Sequence, residues 1–518
     1  MRTEHSLKNI SISLVSQLVM VILGFISRKV FLDSLGIEYL GLNGLLTNVI
    51  SMMALVEGGI GLSIVYNLYK PLAENDQRTV IALVQLYKKA YGILAIIILI
   101  VSIVLFPFLD NIMKNGDSIS NLAIIYFIFI CKNMVSYLNA HKWSLINADQ
   151  RGYVLAKLNL LFQVLTTISK IIILIMTKDF ILYLLLELSI YIIQMIVNGK
   201  IVEKRYPYIK TKIKYSLDKE TKTNIVSNVK ALFLHNIGGF FVFGTDNILI
   251  SSLIGVTTVG LYSNYTMITQ QLSSLVSPVL GGIGASVGNL IATENSSKSY
   301  LIFKVSFLMN FWIYSVVVIT LFNVLEPFIN WWLGEGYLLN KVAFIVILIN
   351  VYITGMRTAI ATFKNTAGLF VQDKYIPLIE GLINLVASFI LVKYLGLAGI
   401  FIGTTLSTLL TLFWTHPVIV YKNVFKRSPK EYFLNYCLYS FLTLLMCIST
   451  NILCSFLSSS YSLMNLFLKL IICLMIPNLV YLLLFYRTTE FKYLYSMLKN
   501  ILGRRQNRKK FNKEVLKM

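Results

Sequence analysis

Apolar runs long enough to cross a bilayer follow one another along almost the whole chain, from Ile10 to Phe485. A helix needs about 20 apolar residues to span the hydrocarbon core, because it rises only about 1.5 Å per residue. Spanning segments must satisfy their backbone hydrogen bonds internally, so these runs predict helices. Since 57% of the 518 residues are hydrophobic and only 13% are charged, the composition favours lipid over water as the solvent.

The runs predict an all-α polytopic membrane protein with about fourteen transmembrane helices. The predicted spans are 10–32, 40–68, 81–107, 119–141, 154–176, 180–199, 226–253, 259–291, 300–325, 341–362, 376–395, 399–420, 433–456 and 464–486. The connections between them are short, so the sequence leaves no room for a separate soluble catalytic domain.

The net charge of +23 is better explained by membrane topology than by nucleic-acid binding. Lysines and arginines lie in loops on alternate sides of the runs, and they are concentrated in the link 200–224 and in the tail after Phe485. Because basic residues collect in cytoplasmic loops, we predict a multi-pass cell-membrane protein with both termini in the cytoplasm. Its expected partners include membrane lipids but no nucleic acid. The five cysteines lie inside apolar runs without ligand spacing, so no metal site is expected.

An internal repeat supports a division of the chain at the basic link. Gly36 and Gly41 recur as Gly255 and Gly260, with a constant offset of 219 residues. Two further similar segments, ADQRGY and VQDKY, each enter the helix that follows with an Asp, a cation and a Tyr. An even number of predicted spans separates the copies, so both copies have the same orientation in the membrane.

The repeat predicts two six-helix lobes related by a twofold axis along the membrane normal, with two further C-terminal helices. The predicted parts are an N-terminal lobe over 1–199, a basic cytoplasmic linker over 200–224, a C-terminal lobe over 225–424, two additional helices over 425–486 and a basic cytoplasmic tail over 487–518.

Seven stretches, in this order and spacing, resemble one known family. They are LGFISRKVFLDSLGIEYLGLNGLLTNVIS (23–51), LYKPLAENDQ (68–77), NADQRGY (147–153), TDNILIS (245–251), VGLYSNYT (259–266), GNLIATE (288–294) and PFINWWLG (327–334). The chain resembles the polysaccharide-export branch of the multidrug/oligosaccharidyl-lipid/polysaccharide (MOP) superfamily, in particular the O-antigen and capsular-polysaccharide flippases of Gram-positive type.

The resemblance implies a MATE-like fold with a cavity between two lobes and transport by alternating access. It also implies a cargo, which is a polyprenyl-pyrophosphate-linked oligosaccharide carried from the cytoplasmic to the outer leaflet for surface polysaccharide biosynthesis. A polysaccharide polymerase and glycosyltransferases are the protein partners that such a pathway implies.

Ionisable side chains inside the spans are few, and each costs about 2.5 to 3.5 kcal/mol at a helix centre on insertion scales. They are Arg28, Glu57, Lys132, Lys170, Glu187, Lys230, His235, Asp246, Arg357 and Glu380. Lys132 and Arg357 precede the repeated Asp149 and Asp373 by 17 and 16 residues, so the repeat predicts similar depths for the two cations. Arg28 occupies the LGF-x-x-R position, where the resemblance implies an arginine that lines the cavity.

We predict that Arg28, Lys132 and Arg357 bind the pyrophosphate, because a phosphate that leaves water needs fixed cations around its oxygens. The alternative is that each cation pairs permanently with a carboxylate, such as Glu57 or Glu187, and so holds helices together.

Three other groups are candidates for gating or ion coupling. A contact between Asp246 and Arg28 at the outer mouth would either gate the cavity by opening or be a static packing pair. Either His235 or Asp246 is a candidate to take a proton or a sodium ion. Glu57 is the third candidate, and the alternative for it is an interhelical hydrogen bond beside small residues.

Two other functions remain open at this level. A multidrug exporter on the same fold would favour intramembrane carboxylates, whereas cations are well represented in these spans. A membrane-embedded glycan polymerase would need a long outward loop, but the longest outward loop predicted here is only 326–340. The chain has no Walker A sequence, so we expect no cofactor and propose coupling to a proton or sodium gradient instead of ATP.

Overall fold

A computed structural model of the protein describes the residues 2–57, 60–114, 119–149, 151–226, 229, 240–241, 244–293, 296–369, 372–457 and 462–496. Within these residues the chain is helical and contains no strand. Nine of the described helices are long and apolar enough to cross a membrane, and ten if the bent pair Leu122–Leu138 and Ala140–Ala148 forms one span. The chain is an all-helical multi-pass membrane protein, and the count of fourteen spans stays a prediction.

The α-helices are numbered here in chain order. They are α1 (Arg2–Leu35), α2 (Ile37–Met53), α3 (Ile60–Ala73), α4 (Gln77–Leu105), α5 (Leu109–Ile112), α6 (Leu122–Leu138), α7 (Ala140–Ala148), α8 (Tyr153–Thr177), α9 (Phe180–Arg205), α10 (Asp246–Leu253), α11 (Val256–Thr293), α12 (Ser296–Leu333), α13 (Lys341–Thr366), α14 (Ile376–Leu395), α15 (Leu397–Leu410), α16 (Leu412–Val420), α17 (Lys430–Ser455) and α18 (Leu463–Phe485).

The chain forms two compact units. The first comprises Met1–Met267 and Tyr375–Ser407, and the second comprises Ile268–Lys374 and Thr408–Met518. Because the unit boundaries fall within α11 and α15, helix α14 belongs with the N-terminal helices. The predicted lobe boundaries come from the repeat in the sequence, whereas the two units are defined by their compactness. The lobe boundaries stay a prediction.

The helices of the first unit expose apolar side chains on one face and bury them on another, as α4 shows. Leu83 and Tyr87 are buried against neighbouring helices, whereas Ile93, Ile96 and Ile100 are exposed. An exposed row of isoleucines would be unfavourable in water, but it is the normal outer face of a helix in lipid.

Glycines at repeat-equivalent positions allow α2 and α11 to cross closely. A Cβ on Gly41 would lie 2.0 Å from the carbonyl oxygen of Val256, and a Cβ on Gly260 would lie 2.4 Å from that of Ile37. The offset of 219 residues that relates Gly41 to Gly260 also relates Ile37 to Val256. The two contacts are therefore reciprocal, as in a local twofold pairing of equivalent segments.

The core of the second unit is largely aromatic. Phe311 of α12 stacks on Tyr439 of α17, with ring centroids 4.3 Å apart, and lies 4.9 Å from Tyr481 of α18. Ser315 shares a hydrogen bond of 2.5 Å with the Tyr481 hydroxyl, so the polar tip of this buried ring is satisfied. These contacts hold the last two helices against α12.

Candidate functional site

Glu187 of α9 lies between two lysines that come from neighbouring helices. Its Oε1 accepts a hydrogen bond from Nζ of Lys132 on α6, and its Oε2 accepts one of 2.6 Å from Nζ of Lys170 on α8. Lys170 and Glu187 are largely buried, whereas the side chain of Lys132 is 41% exposed. The Lys132–Glu187 pair is the contact that the sequence analysis offered as the alternative to pyrophosphate binding, whereas the contact with Lys170 was not predicted.

Tyr183 links this ion pair to Arg28. It lies one turn before Glu187 on α9, and Nζ of Lys170 is 4.2 Å from the centroid of its ring. Arg28 is within electrostatic reach of the same tyrosine. Phe31, one turn after Arg28, packs edge-on against Tyr183 at 5.4 Å between centroids, which fixes α1 against α9.

Arg28 also contacts α11 within the first unit. Its Nη1 donates a hydrogen bond of 3.3 Å to Oδ1 of Asn264. Asn264 is completely buried, and its Nδ2 has no acceptor among the described residues. An arginine fork and a buried amide donor thus lie side by side, and both are groups that bind anionic oxygens.

We call Arg28, Lys132, Lys170, Tyr183 and Glu187 the cation cluster. Among the described residues, Glu187 is the one carboxylate within ion-pair distance of any of its three cations. An excess of positive charge inside a membrane-spanning bundle requires water or an anion. The cluster is therefore suited to bind a negatively charged group.

Arg357, the third predicted substrate ligand, lies on α13 in the second unit. Its guanidinium is within electrostatic reach of Tyr432, Tyr436 and His416. Arg28 and Lys132 lie in the first unit. The three predicted ligands therefore belong to two different units.

The candidates for gating and coupling have different environments. Glu57 accepts a hydrogen bond from the Tyr91 hydroxyl of α4, which is the interhelical contact that the sequence offered as the alternative for this residue. Asp246 begins α10 and is only 8% exposed, and its Oδ1 has no donor among the described residues. The described conformation has no ion pair between Arg28 and Asp246, since Arg28 contacts Asn264. His235 lies outside the described residues.

A second buried ionic group lies in the second unit, and sequence reasoning missed it. Lys364 at the end of α13 donates a hydrogen bond to Oδ2 of Asp373, and Nε2 of His416 lies 3.3 Å from the same oxygen. Burial alone would raise the pKa of the Asp373 carboxyl, but hydrogen bonds from His416 and Lys364, together with the Lys364 charge, lower this pKa below its usual value.

The signal that marks this group is the repeated Asp of the ADQRGY and VQDKY segments. The equivalent Asp149 accepts a hydrogen bond of 2.5 Å from the Tyr206 hydroxyl, and Nε of Arg151 lies 3.0 Å from the same oxygen. In each case the Asp follows one helix and ties it to a neighbouring segment, so the repeated residue has a structural role in both copies.

Comparison with known proteins identifies the family. The family model described as "Polysaccharide biosynthesis protein" matches residues 6–283, which is more than half of the chain. No curated protein sequence matches the chain.

Similar solved structures show the fold. The lipid II flippase MurJ in an inward closed conformation is 15% identical, with a TM-score of 0.62 over 91% of this chain and 98% of that one. An inward-facing multidrug resistance MATE family transporter of the MOP superfamily is 16% identical, with a TM-score of 0.53 over 78% of this chain and 98% of that one. A MOP superfamily transporter from Pyrococcus furiosus is 15% identical, with a TM-score of 0.52 over 81% of this chain and 95% of that one.

These neighbours are a flippase and transporters rather than enzymes, and their fold is the one that the resemblance implied. The chain belongs to the polysaccharide biosynthesis protein family and has the fold of the MOP superfamily.

Proposed function

We propose that the protein is a flippase that moves a polyprenyl-pyrophosphate-linked oligosaccharide from the cytoplasmic to the outer leaflet of the cytoplasmic membrane. The family match supports a role in polysaccharide biosynthesis, and the fold is shared with a lipid II flippase. The observation that carries the proposal is the cation cluster, where Lys132 and Lys170 share the carboxylate of Glu187, and Arg28 forms no ion pair with any described carboxylate. A pyrophosphate diester supplies the negative charge that such a group needs.

In this mechanism the first unit recognises the head group of the lipid. Arg28 offers a planar fork that fits two phosphate oxygens, while Lys132 and Lys170 act as point charges beside it. Glu187 holds the two lysines in place and reduces their mutual repulsion before the cargo arrives. Arg357 is proposed as a further ligand of the pyrophosphate during transport.

Transport is proposed to proceed by alternating access, with rocking of two lobes around a wet cavity. The glycan would occupy the cavity, and the polyprenyl tail would stay in the bilayer. Both termini are proposed to lie in the cytoplasm, because the lysine-rich link 200–224 and the basic tail then face the leaflet that attracts positive charge. A polysaccharide polymerase and glycosyltransferases are the proposed partners, and the product is a capsule, exopolysaccharide or O-antigen-like polymer.

The proposed energy source is a proton or sodium gradient, with Asp246 as the coupling group. A buried carboxylate whose Oδ1 has no described donor is most stable when it holds a proton or a cation. Asp246→Asn should retain cargo binding but lose the response of transport to an imposed gradient. If this variant responds to the gradient as the wild type does, Asp246 is not the coupling group.

The test of the function is leaflet exchange in proteoliposomes that contain a lipid-linked oligosaccharide. We expect the wild-type protein to accelerate exchange, and Arg28→Ala to slow it about tenfold or more, because a hydrogen bond to a charged group contributes about 1.5–3 kcal/mol. Arg357→Ala should also slow exchange. Lys29→Ala is the matched control, since Lys29 is adjacent in sequence, is exposed and forms an ion pair with Asp33.

Three outcomes would contradict the proposal. Unchanged exchange in both arginine variants would remove these residues from the site, and equal slowing by Lys29→Ala would indicate a general effect of charge. Failure of the wild type to move the lipid, together with export of organic cations, would favour the multidrug alternative on this fold.

A further inference from the structure

A large cavity in the first unit lies apart from the cation cluster and is rich in lysine. Its volume is about 1380 Å³, and it is bounded by α3, α4, α7, the end of α9 and the basic link. Three lysines, Lys88, Lys89 and Lys142, come from helices. Four more come from the link, namely Lys210, Lys212, Lys214 and Lys222.

Hydrogen bonds and ion pairs fasten the link over the cavity. Nε2 of Gln85 donates a hydrogen bond of 2.8 Å to the carbonyl oxygen of Ile213. Glu203 lies 2.8 Å from Nζ of Lys142 and 3.4 Å from Nζ of Lys210, so one carboxylate joins α7 to the link. These contacts fix the position of the link, so the cavity is a defined part of the first unit.

Most of the positive charge in this cavity has no internal counterion. Glu203 is the one carboxylate among the described residues that line it. Lys88, Lys89, Lys212 and Lys214 form no ion pair with any described residue. Lys88 and Lys89 follow Gln85 by three and four residues and so share its helix face, and Lys212 and Lys214 both line the cavity from the link. Two elements therefore present paired ammonium groups to one space.

Much of the rest of the wall is apolar, and an apolar wall favours a lipid over a soluble anion. Ile60, Ile64, Leu138 and Val226 line the same cavity as the lysines. Leu138 is 65% exposed and Val226 is 53% exposed, although both are large apolar side chains. An amphipathic ligand with a charged head and an apolar body matches both kinds of surface.

We infer that this cavity binds the phosphate-bearing head group of an anionic membrane lipid. The lysines would surround the phosphate, and the apolar residues would contact the first methylene groups of the lipid. A glycerophospholipid of the surrounding leaflet and a polyprenyl pyrophosphate share this chemistry. The site is separate from the cation cluster and does not depend on the proposed transport.

Lipid binding can be measured by native mass spectrometry of the full-length protein in detergent, titrated with phosphatidylglycerol or with phosphatidylcholine. We expect phosphatidylglycerol to bind more tightly than phosphatidylcholine. The double variant Lys212→Gln/Lys214→Gln should weaken phosphatidylglycerol binding about thirtyfold, because each lysine near an anionic lipid contributes about fivefold. The matched control is Lys204→Gln/Lys219→Gln, which removes the same charge from the same link at positions that do not line the cavity.

Two outcomes would overturn the inference about the cavity. Equal losses in the two double variants would show that only net charge matters, and equal binding of the two lipids would show that the head group is not recognised. The two proposals have separate readouts, which are phosphatidylglycerol binding for the cavity and leaflet exchange for the cation cluster, so failure of one is distinguishable from failure of the other.

A competition experiment shows which lipid, a glycerophospholipid or a polyprenyl pyrophosphate, supplies the phosphate group that the cavity binds. Displacement of phosphatidylglycerol by polyprenyl pyrophosphate at lower concentration would assign the cavity to the transported lipid, and the reverse order would assign it to a bulk phospholipid. Both results support a lipid site. Competition by inorganic pyrophosphate as strong as that by either lipid would overturn the lipid assignment, because the apolar wall would then contribute nothing.

Discussion

At the scale of single residues, the surroundings of Glu187 give its carboxylate a structural task. It accepts hydrogen bonds from Lys132 and Lys170, whose helices α6 and α8 both pack against α9. Without this carboxylate the two ammonium groups would repel each other at short distance. Removal of one partner from a buried ion group is destabilising because the remaining charge keeps its desolvation penalty.

Glu187→Gln should therefore lower the free energy of unfolding by about 3 kcal/mol. Thermal unfolding in a mild detergent, followed by circular dichroism, measures the change. Lys132→Gln is the matched comparison and should have a smaller effect, since the Lys132 side chain is 41% exposed and its charge is partly solvated. A larger loss for Lys132→Gln than for Glu187→Gln would contradict this account of the cluster.

Asp373 should make stability depend on pH in the acidic range. Burial would raise the pKa of its carboxyl, but His416 and Lys364 lower that pKa below the usual value of 3.8, so the folded protein binds this proton less readily than the unfolded chain. The contribution of Asp373 is then complete above the usual value and is lost as the pH falls through the folded pKa. Acid unfolding of the wild type should be steeper than that of Asp373→Asn.

Asp373→Asn should also destabilise the protein near neutral pH, by about 3–5 kcal/mol, because it leaves Lys364 buried without its carboxylate. Asp149→Asn, at the equivalent position of the repeat, should cost less, since Asp149 is 27% exposed. Chemical unfolding of the two variants in parallel would decide the order, and equal losses would contradict the difference in burial.

Sequence reasoning at this scale found the unusual residues and offered Glu187 as a carboxylate partner for a cation, but it did not predict that Glu187 contacts both Lys132 and Lys170. Lys132, Lys170 and Glu187 stand out because ionisable groups are rare in apolar helices. Their mutual contacts depend on which helices meet, and a single sequence does not contain that information. Tyr183 was missed because a tyrosine in an apolar run gives no signal of its own.

At the scale of helices, the crossing of α2 and α11 depends on two glycines. Gly41→Ala and Gly260→Ala should each cost about 1–3 kcal/mol of stability, because a Cβ at either position would overlap a backbone carbonyl of the other helix. Thermal unfolding of each variant tests this expectation.

Gly92→Ala is the matched control for the helix crossing. Gly92 lies inside α4, and a Cβ there would meet nothing within 4 Å. It should be neutral or stabilising by about 0.5–1 kcal/mol, because alanine loses less backbone entropy than glycine in a helix. Destabilisation by Gly92→Ala equal to that of the other two variants would show that space at the crossing is not the cause.

The spans were predictable as apolar runs, but their internal breaks were not. The predicted span 119–141 is divided in the structure into α6 and α7, which meet at an angle of 46°. Asn139 lies at this break, and its Nδ2 donates a hydrogen bond of 3.0 Å to the carbonyl oxygen of Met195 on α9. A side chain that bonds to another helix can offset an interrupted backbone ladder, and hydropathy does not report such partners.

At the scale of the whole molecule, family and fold could be predicted because they depend on repeated features that tolerate substitution. The order of the apolar runs and the constant spacing of the repeated glycines can be read in this chain, although the similar solved structures are only 15–16% identical to it. The compact units could not be predicted, because helix packing assigns α14 to the first unit in spite of its distance along the chain.

The central claim is that positive charge held inside the first unit recognises the pyrophosphate of a lipid. The direct measurement is the dissociation constant of the purified protein for a polyprenyl pyrophosphate and for the uncharged polyprenol, in wild type and in Arg28→Gln, Lys170→Gln and Glu187→Gln. We predict preference for the pyrophosphate in wild type, weaker binding by about tenfold when either cation is removed, and tighter binding for Glu187→Gln. Equal affinity for the two lipids, or affinities that do not follow the charge of the cluster across the variants, would contradict the account.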